Sequence, residues 1–127
     1  MTRQWRFGAR RLSIEPPGGM IDAGEDPLAA AAREAREETG FDGGRPELLG
    51  TCSPNPAIQS NRCHFVLLEG VRPTGRTCLD EHEEIQVLAV RPGAAITCLG
   101  ADEGAHALAL LALHRLRDAR PALFEDA

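Results

Sequence analysis

Three glutamates, Glu34, Glu37 and Glu38, lie within five residues of one another. They occupy positions i, i+3 and i+4 of a predicted helix, so the helical repeat places all three carboxylates on one face. Like charges at this spacing repel by about 0.2–0.5 kcal/mol per pair, and anions near a helix C-terminus are also disfavoured. Two interpretations are open: Arg33 and Arg36 neutralise a solvated face, or the carboxylates bind hard divalent cations such as Mg²⁺.

The helix that positions these carboxylates has clear boundaries in the sequence. Asp26 can cap its N-terminus, Pro27 fits the first helical position, and Gly40 is a typical left-handed C-cap. A stripe of mostly small residues opposes the acidic face and predicts close packing on a sheet, with the glutamates left toward a cleft. The stripe comprises Leu28, Ala31, Ala32, Ala35 and Thr39.

Five strands and one further helix are predicted around this helix. Alternating or apolar runs favour strands at 4–7, 11–14, 47–52, 63–68 and 85–90. Helix formers favour a helix over 104–118, which ends before Pro121. His106 and His114 fall on this helix and are expected to be structural. Strands and helices in this order predict an α/β or α+β domain.

Composition limits the possible functions. The 127 residues are 43% hydrophobic and 26% charged, which is typical of one globular domain. The net charge is −5, so general nucleic-acid binding is not expected, and a phosphate-rich substrate would require a few placed arginines or a metal. No stretch resembles a membrane helix or a secretory signal. The four cysteines lack zinc-ligand spacing and are expected to be reduced, mostly buried thiols in a cytoplasmic protein.

The segment 19–41 resembles the complete Nudix box, G-x5-E-x7-R-E-U-x-E-E-x-G-U, where U is apolar. The matching residues are Gly19, Glu25, Arg33, Glu34, Ala35, Glu37, Glu38, Gly40 and Phe41. The resemblance implies a Nudix-type α/β/α sandwich with a mixed sheet, formed by one domain over 1–127. It also implies hydrolysis of a nucleoside diphosphate linked to another moiety, with Mg²⁺ or Mn²⁺ as cofactor.

Roles follow from the resemblance position by position. Glu34, Glu37 and Glu38 would be metal ligands, and the main-chain carbonyl of Gly18 would add a further oxygen. Glu25 and Arg33 would form a structural pair that ties the preceding loop to the helix. These roles agree with the physical argument, because an acidic protein needs a cation to bind a pyrophosphate.

Other segments resemble the ADP-ribose pyrophosphatase branch of the family. They are Gln4-Trp5-Arg6, the segment 14–19, Pro56 at 15 residues after Phe41, and the acidic segment 79–87. The resemblance implies that Arg6 and Glu15 bind the substrate and that Glu81 is the general base, with Glu83 as second choice. Two alternatives remain: a pyrophosphatase acting on nucleoside triphosphates, and a non-catalytic binding module with the same fold.

The segment before the box is short. Only 18 residues precede Gly19, so we expect a sheet that lacks the family's N-terminal strands. This would reflect a chain that begins late, a sheet completed by a partner subunit, or a minimal variant. Because an unpaired strand edge favours pairing with another chain, a homodimer is predicted. The expected partner molecules are small nucleoside diphosphate derivatives, without nucleic acid or membrane.

Overall fold

The computed structural model describes residues 1–79 and 84–125. The strands are β1 (Thr2–Arg6), β2 (Arg11–Glu15), β3 (Phe41–Asp42), β4 (Arg45–Cys52), β5 (Cys63–Glu69), β6 (Arg72–Pro73) and β7 (Ile85–Val87). The helices are α1 (Pro27–Thr39), α2 (Pro92–Gly100) and α3 (Ala107–Ala119), and a 3-10 turn follows at Pro121–Phe124. The predicted α+β class is therefore confirmed.

Helix α1 forms where its local signals predict. The Asp26 carboxylate accepts hydrogen bonds from the main-chain N–H groups of Leu28 and Ala29, and Pro27 occupies the first turn. Gly40 ends the helix with φ of 70°, in the left-handed region that glycine tolerates best. The predicted small-residue stripe is only partly correct, because the buried alanines of the helix are Ala30 and Ala35.

Strands β1 and β2 form an antiparallel hairpin, and β7 pairs with the other edge of β1. Because side chains alternate across a strand, one face of the hairpin is almost entirely polar. This polar face carries Thr2, Gln4, Arg6, Arg11, Ser13 and Glu15. It is the buried face, whereas the opposite face exposes Trp5 and Leu12.

Strands β4 and β5 form a second antiparallel hairpin, which lies between α1 and α3 and contacts both. A register shift between Leu48 and Gly50 bends this hairpin. Phe65 on β5 is buried. The layers are thus helix, hairpin and helix, and every pairing between described strands is antiparallel.

Helices α2 and α3 pack against each other through a small aliphatic core. Its buried members are Ala95 and Leu99 on α2 and Ala109 and Leu113 on α3. No helix in the described part of the chain is long and apolar enough to cross a membrane.

Several boundaries and one cysteine prediction differ from the sequence-based expectation. Helix α2 was not predicted, nor were the two-residue strands β3 and β6. Strand β7 ends at Val87 rather than at residue 90, and α3 begins at Ala107 rather than at residue 104. The prediction of mostly buried thiols is wrong, because Cys78 and Cys98 are exposed. All four cysteines are free thiols.

Candidate active site

A groove of about 470 Å³ lies between the N-terminal hairpin and the acidic face of α1. Its described charged residues are Arg6, Asp22, Arg33, Glu34, Glu37 and Glu38. Four carboxylates against two guanidinium groups leave a formal charge of −2. A pyrophosphate would be repelled by this lining, so binding such a substrate requires additional positive charge.

Arg33 neutralises two of the three box carboxylates. Its Nη1 donates to Glu34 Oε1 at 2.8 Å and to Glu37 Oε2 at 3.1 Å. These contacts relieve the repulsion that the i, i+3 spacing creates. They also raise the pKa of Arg33, together with its larger interaction with Glu25.

The predicted Glu25–Arg33 pair is present and is bidentate. Arg33 Nε donates to Glu25 Oε1 and Arg33 Nη2 to Glu25 Oε2, both at 2.9 Å. Arg33 and the main-chain N–H of Asp22 lower the pKa of Glu25 to about 2. Arg33 Nη2 also donates to the main-chain carbonyl of Met20. The pair therefore fixes the loop before α1 against the helix.

Glu38 differs from the other two box glutamates in being buried, with 5% of its surface exposed. Its Oε2 accepts a hydrogen bond from the Gly18 main-chain N–H at 3.1 Å. A Cβ at the adjacent Gly19 would meet the Glu34 carboxylate, so a side chain there would require Glu34 to move. The loop backbone at 18–19 is thus held directly against the acidic face of α1.

The chemistry of this donor set fits a hard divalent cation, since carboxylate and carbonyl oxygens are the ligands that Mg²⁺ prefers. In the described residues, however, no three His, Cys, Asp or Glu side chains are grouped closely enough to hold a metal ion. The assignment of Glu34, Glu37, Glu38 and Gly18 as metal ligands stays a prediction.

Arg6 and Glu15 form a second bidentate pair at the edge of the groove. Arg6 Nε donates to Glu15 Oε1 at 3.1 Å and Arg6 Nη2 to Glu15 Oε2 at 2.8 Å. His106 Nδ1 lies 3.0 Å from the same Oε2. Burial alone would raise the pKa of Glu15, but hydrogen bonds from Arg6, Ser13 and His106 and the charge of Arg6 lower it to about 2.

A smaller cavity of about 220 Å³ adjoins this pair, and Arg6 lines both it and the groove. Arg11, Ser13 and His106 contribute to its wall. The structure therefore brings Arg6 and Glu15 together beside the box glutamates. His106 joins them, although no pattern in the sequence indicates this position.

Two predicted residues, Glu81 and Glu83, lie outside the described residues. The segment before them is anchored, since the Cys78 main-chain N–H donates to the Glu37 carbonyl at 2.8 Å and Cys78 lines the groove. Pro56 lies in the exposed loop between β4 and β5 and is not among the described residues that line the groove.

Comparisons with known proteins agree with this arrangement. A family model described as NUDIX domain matches residues 1–111. An ADP-ribose pyrophosphatase of Saccharomyces cerevisiae is 49% identical over 69 residues, which are 54% of this chain and 30% of the yeast protein. An ADP-ribose pyrophosphatase of Bacillus subtilis is 30% identical over 91 residues, which are 71% of this chain and 49% of that protein.

A crystal structure of an ADP compounds hydrolase superposes with a TM-score of 0.80 at 26% identity. The match covers 95% of this chain and 65% of that one. The chain spans less than half the length of the two ADP-ribose pyrophosphatases. The similarity to that branch of the family is confirmed, and the family match covers most of the sequence: the chain belongs to the Nudix family.

Proposed function

We propose that the chain hydrolyses the pyrophosphate bond of a nucleoside diphosphate joined to another moiety, with ADP-ribose or a related nucleotide sugar as substrate. The products are a nucleoside monophosphate and a phosphorylated sugar. Water adds its oxygen to one phosphorus, the P–O bond to the bridging oxygen breaks, and that oxygen leaves with the other phosphate. From ADP-ribose the products are AMP and ribose 5-phosphate.

The observation that carries the proposal is the groove itself. It brings together all three box glutamates and Arg6, which come from α1 and β1. A non-catalytic module would not need all three box carboxylates in one groove, because neighbouring negative charges repel one another unless a positive charge lies between them. The substrate class is supported by the two relatives named ADP-ribose pyrophosphatase.

Glu34, Glu37, Glu38 and the Gly18 carbonyl would hold Mg²⁺ or Mn²⁺. A bound divalent cation supplies positive charge against the pyrophosphate oxygens and favours loss of a proton from the attacking water. Glu34 and Glu37 would then exchange their contacts with Arg33 for contacts with the cation. The Arg33 guanidinium keeps its bidentate hold on Glu25, so the loop before α1 remains anchored.

Arg6 binds a phosphate or the terminal ribose of the substrate. Its two hydrogen bonds to Glu15 orient the guanidinium along the β1–β2 hairpin. Glu81 accepts the proton of the attacking water, with Glu83 as the alternative. A carboxylate beside bound cations stays ionised and can act as a base. The position of Cys78 in the groove lining supports this assignment, because Cys78 precedes Glu81 by three residues.

The test is a substrate panel of nucleoside diphosphate sugars, dinucleotides and nucleoside triphosphates, assayed with Mg²⁺ and with Mn²⁺. Released phosphomonoester is measured, and products are separated to identify AMP and ribose 5-phosphate. We expect ADP-ribose or a related sugar to give the highest kcat/KM. A preference for triphosphates would favour the general pyrophosphatase, and a purified protein that turns over no member would favour the binding module.

The base is tested with Glu81→Gln and Glu83→Gln. Loss of kcat in the first variant alone, with unchanged cation affinity, is expected if Glu81 is the base. Loss in the second alone would transfer the role to Glu83. Normal kcat in both variants would remove this segment from the chemistry.

A homodimer and a cytoplasmic location of the protein are also part of the proposal. Trp5 and Leu12 on the outer face of the β1–β2 hairpin are about half exposed, which supports burial against another surface. Sedimentation velocity at micromolar concentration should give the mass of two chains. A monomer at that concentration would contradict the dimer without affecting the proposed reaction.

A further inference from the structure

His106 occupies the N-cap position of α3, yet its side chain makes no capping hydrogen bond. N-cap positions favour Ser, Thr, Asp and Asn, because their short side chains accept from the first N–H groups of the helix. The His106 ring instead contacts Glu15, 91 residues earlier in the chain, at 3.0 Å. This contact joins the start of the last long helix to the N-terminal hairpin.

The direction of the hydrogen bond follows from the chemistry of the two groups. An ionised carboxylate only accepts hydrogen bonds, so Nδ1 of His106 is the protonated nitrogen in this contact. Glu15 is 5% exposed and its Oε2 also accepts from Arg6 Nη2, while its Oε1 accepts from Arg6 Nε. The carboxylate is therefore held by Arg6 on β1, by Ser13 on β2 and by His106 at the start of α3.

The loop that carries His106 is itself anchored to the hairpin. Asp102 accepts from Arg11 Nη2 at 2.5 Å and from the Gly104 main-chain N–H at 2.9 Å. Because Arg11 lies on the same hairpin face as Arg6, the loop is fixed at a second point that does not involve Glu15. His106, whose side chain is 45% exposed, thus contacts Glu15 from a loop that is itself tied to the hairpin.

We propose that His106 is a positioning residue that, through Glu15, fixes the guanidinium of Arg6 at the groove for a phosphate of the nucleoside diphosphate substrate. This inference rests on the proposed function, in which Arg6 binds the substrate. The Arg6 side chain is 43% exposed, so it is held by Glu15 and still accessible from the groove. An arginine that is already ordered loses less conformational entropy when the ligand binds, and affinity increases accordingly. Glu15 on this view acts through Arg6 and not by touching the substrate.

The first test is steady-state kinetics with ADP-ribose for His106→Ala, His106→Asn and His114→Ala. His114 is the matched control, since it lies on α3, is exposed and contacts only Arg117 among the described residues. We expect His106→Ala to raise KM with kcat within about twofold. The increase should stay below about 5- to 30-fold, the range for freeing one arginine side chain completely, because Arg6 keeps its bidentate pair with Glu15. Asn places a donor near the position of Nδ1, so His106→Asn should retain most of the affinity.

A double-mutant cycle separates positioning from a general structural effect. Arg6→Ala removes the group that His106 is proposed to position, so adding His106→Ala to that variant should leave KM unchanged. Independent, additive increases in KM would overturn the proposal. A fall in kcat and thermal stability of His106→Ala without a selective rise in KM would also overturn it. His106→Asn tests the donor through KM alone, because Asn can itself cap α3.

A second readout does not depend on turnover. The Nε–H signal of Arg6 in a ¹H–¹⁵N spectrum, assigned by its absence in Arg6→Ala, should shift or broaden in His106→Ala and not in His114→Ala. An unchanged signal would overturn the positioning role even in an active enzyme. A wild-type protein inactive on the whole substrate panel would instead overturn the proposed function, and the substrate role of Arg6 with it.

Discussion

Replacing Glu15 by glutamine should cost the protein a measurable part of its stability at neutral pH. The pKa of Glu15 is lowered from its ordinary value of 4.5 to about 2, although burial by itself would raise it. One pKa unit corresponds to about 1.4 kcal/mol, so the shift represents about 3 kcal/mol of stability when the carboxylate is ionised. Because Arg6 and His106 remain partly hydrated, we expect Glu15→Gln to lose about 2–3 kcal/mol.

The pH dependence of this loss has a definite sign. A carboxylate whose pKa is lower in the folded state stabilises the protein above its unfolded pKa of 4.5, and loses that contribution as the pH falls toward 2. The difference in unfolding free energy between wild type and Glu15→Gln should therefore be constant from about pH 5 to 7 and shrink below it. The glutamine variant should depend less on pH in the acid range.

Urea denaturation measures this difference. Trp5 is the single tryptophan and lies next to Arg6 on β1, so its fluorescence reports on the hairpin that carries Glu15. Glu69→Gln is the matched control, because Glu69 likewise has two basic partners, Arg45 and Arg120, but is exposed, where solvent screens the interaction. A Glu15→Gln variant within about 0.5 kcal/mol of wild type at pH 7, or a difference that does not shrink on acidification, would refute the reasoning.

Three further predictions follow from α1. Gly40→Ala should lower the free energy of unfolding by about 2 kcal/mol in urea denaturation, because φ is 70° and the new Cβ would lie 2.9 Å from the Arg76 carbonyl oxygen. Gly43→Ala is the control, with φ of 77° and open space around its Cβ, and should lower it less. Asp26→Ala should lose about 1 kcal/mol through its two capping bonds, and an unchanged denaturation midpoint would contradict this. Glu37→Gln should lower kcat at least about 100-fold with an unchanged circular dichroism spectrum. Mg²⁺ should raise the Tm of wild type more than that of Glu37→Gln, whereas the control Glu125→Gln should respond like wild type.

Helix α1 was predictable because its signals are local. Its cap residues Asp26, Pro27 and Gly40 act within one turn of the chain, and the structure uses each of them in the expected way. Helix α2 has weaker signals. Pro92 occupies its first turn, as Pro27 does in α1, but Arg91 at its N-cap makes no side-chain bond. The helix also contains Gly93 and Gly100 near its ends. Its stability comes from packing Ala95 and Leu99 on α3, which is a tertiary contact that no local pattern reports.

The candidate site likewise has a part that local sequence patterns predict and a part that depends on tertiary structure. The box glutamates were predictable because helical spacing fixes their relative directions, and the groove contains all three. The grouping of Arg6, Glu15 and His106 depends on the register of the β1–β2 hairpin and on the loop before α3. From the sequence, His106 was expected to be only structural. Its contact with Glu15 joins residues 91 positions apart, which local spacing does not predict.

The repulsion between the box glutamates explains why Arg33 belongs to the same motif. One guanidinium is held by Glu25 through Nε and Nη2, which leaves Nη1 directed at both Glu34 and Glu37. Arg33 therefore supplies the counter-charge that lets α1 fold with its carboxylates on one face before any cation binds. At the proposed site, a divalent cation would compete with a single shared Nη1 and not with two separate ion pairs. Glu34 and Glu37 thus have a counter-charge in the absence of a cation.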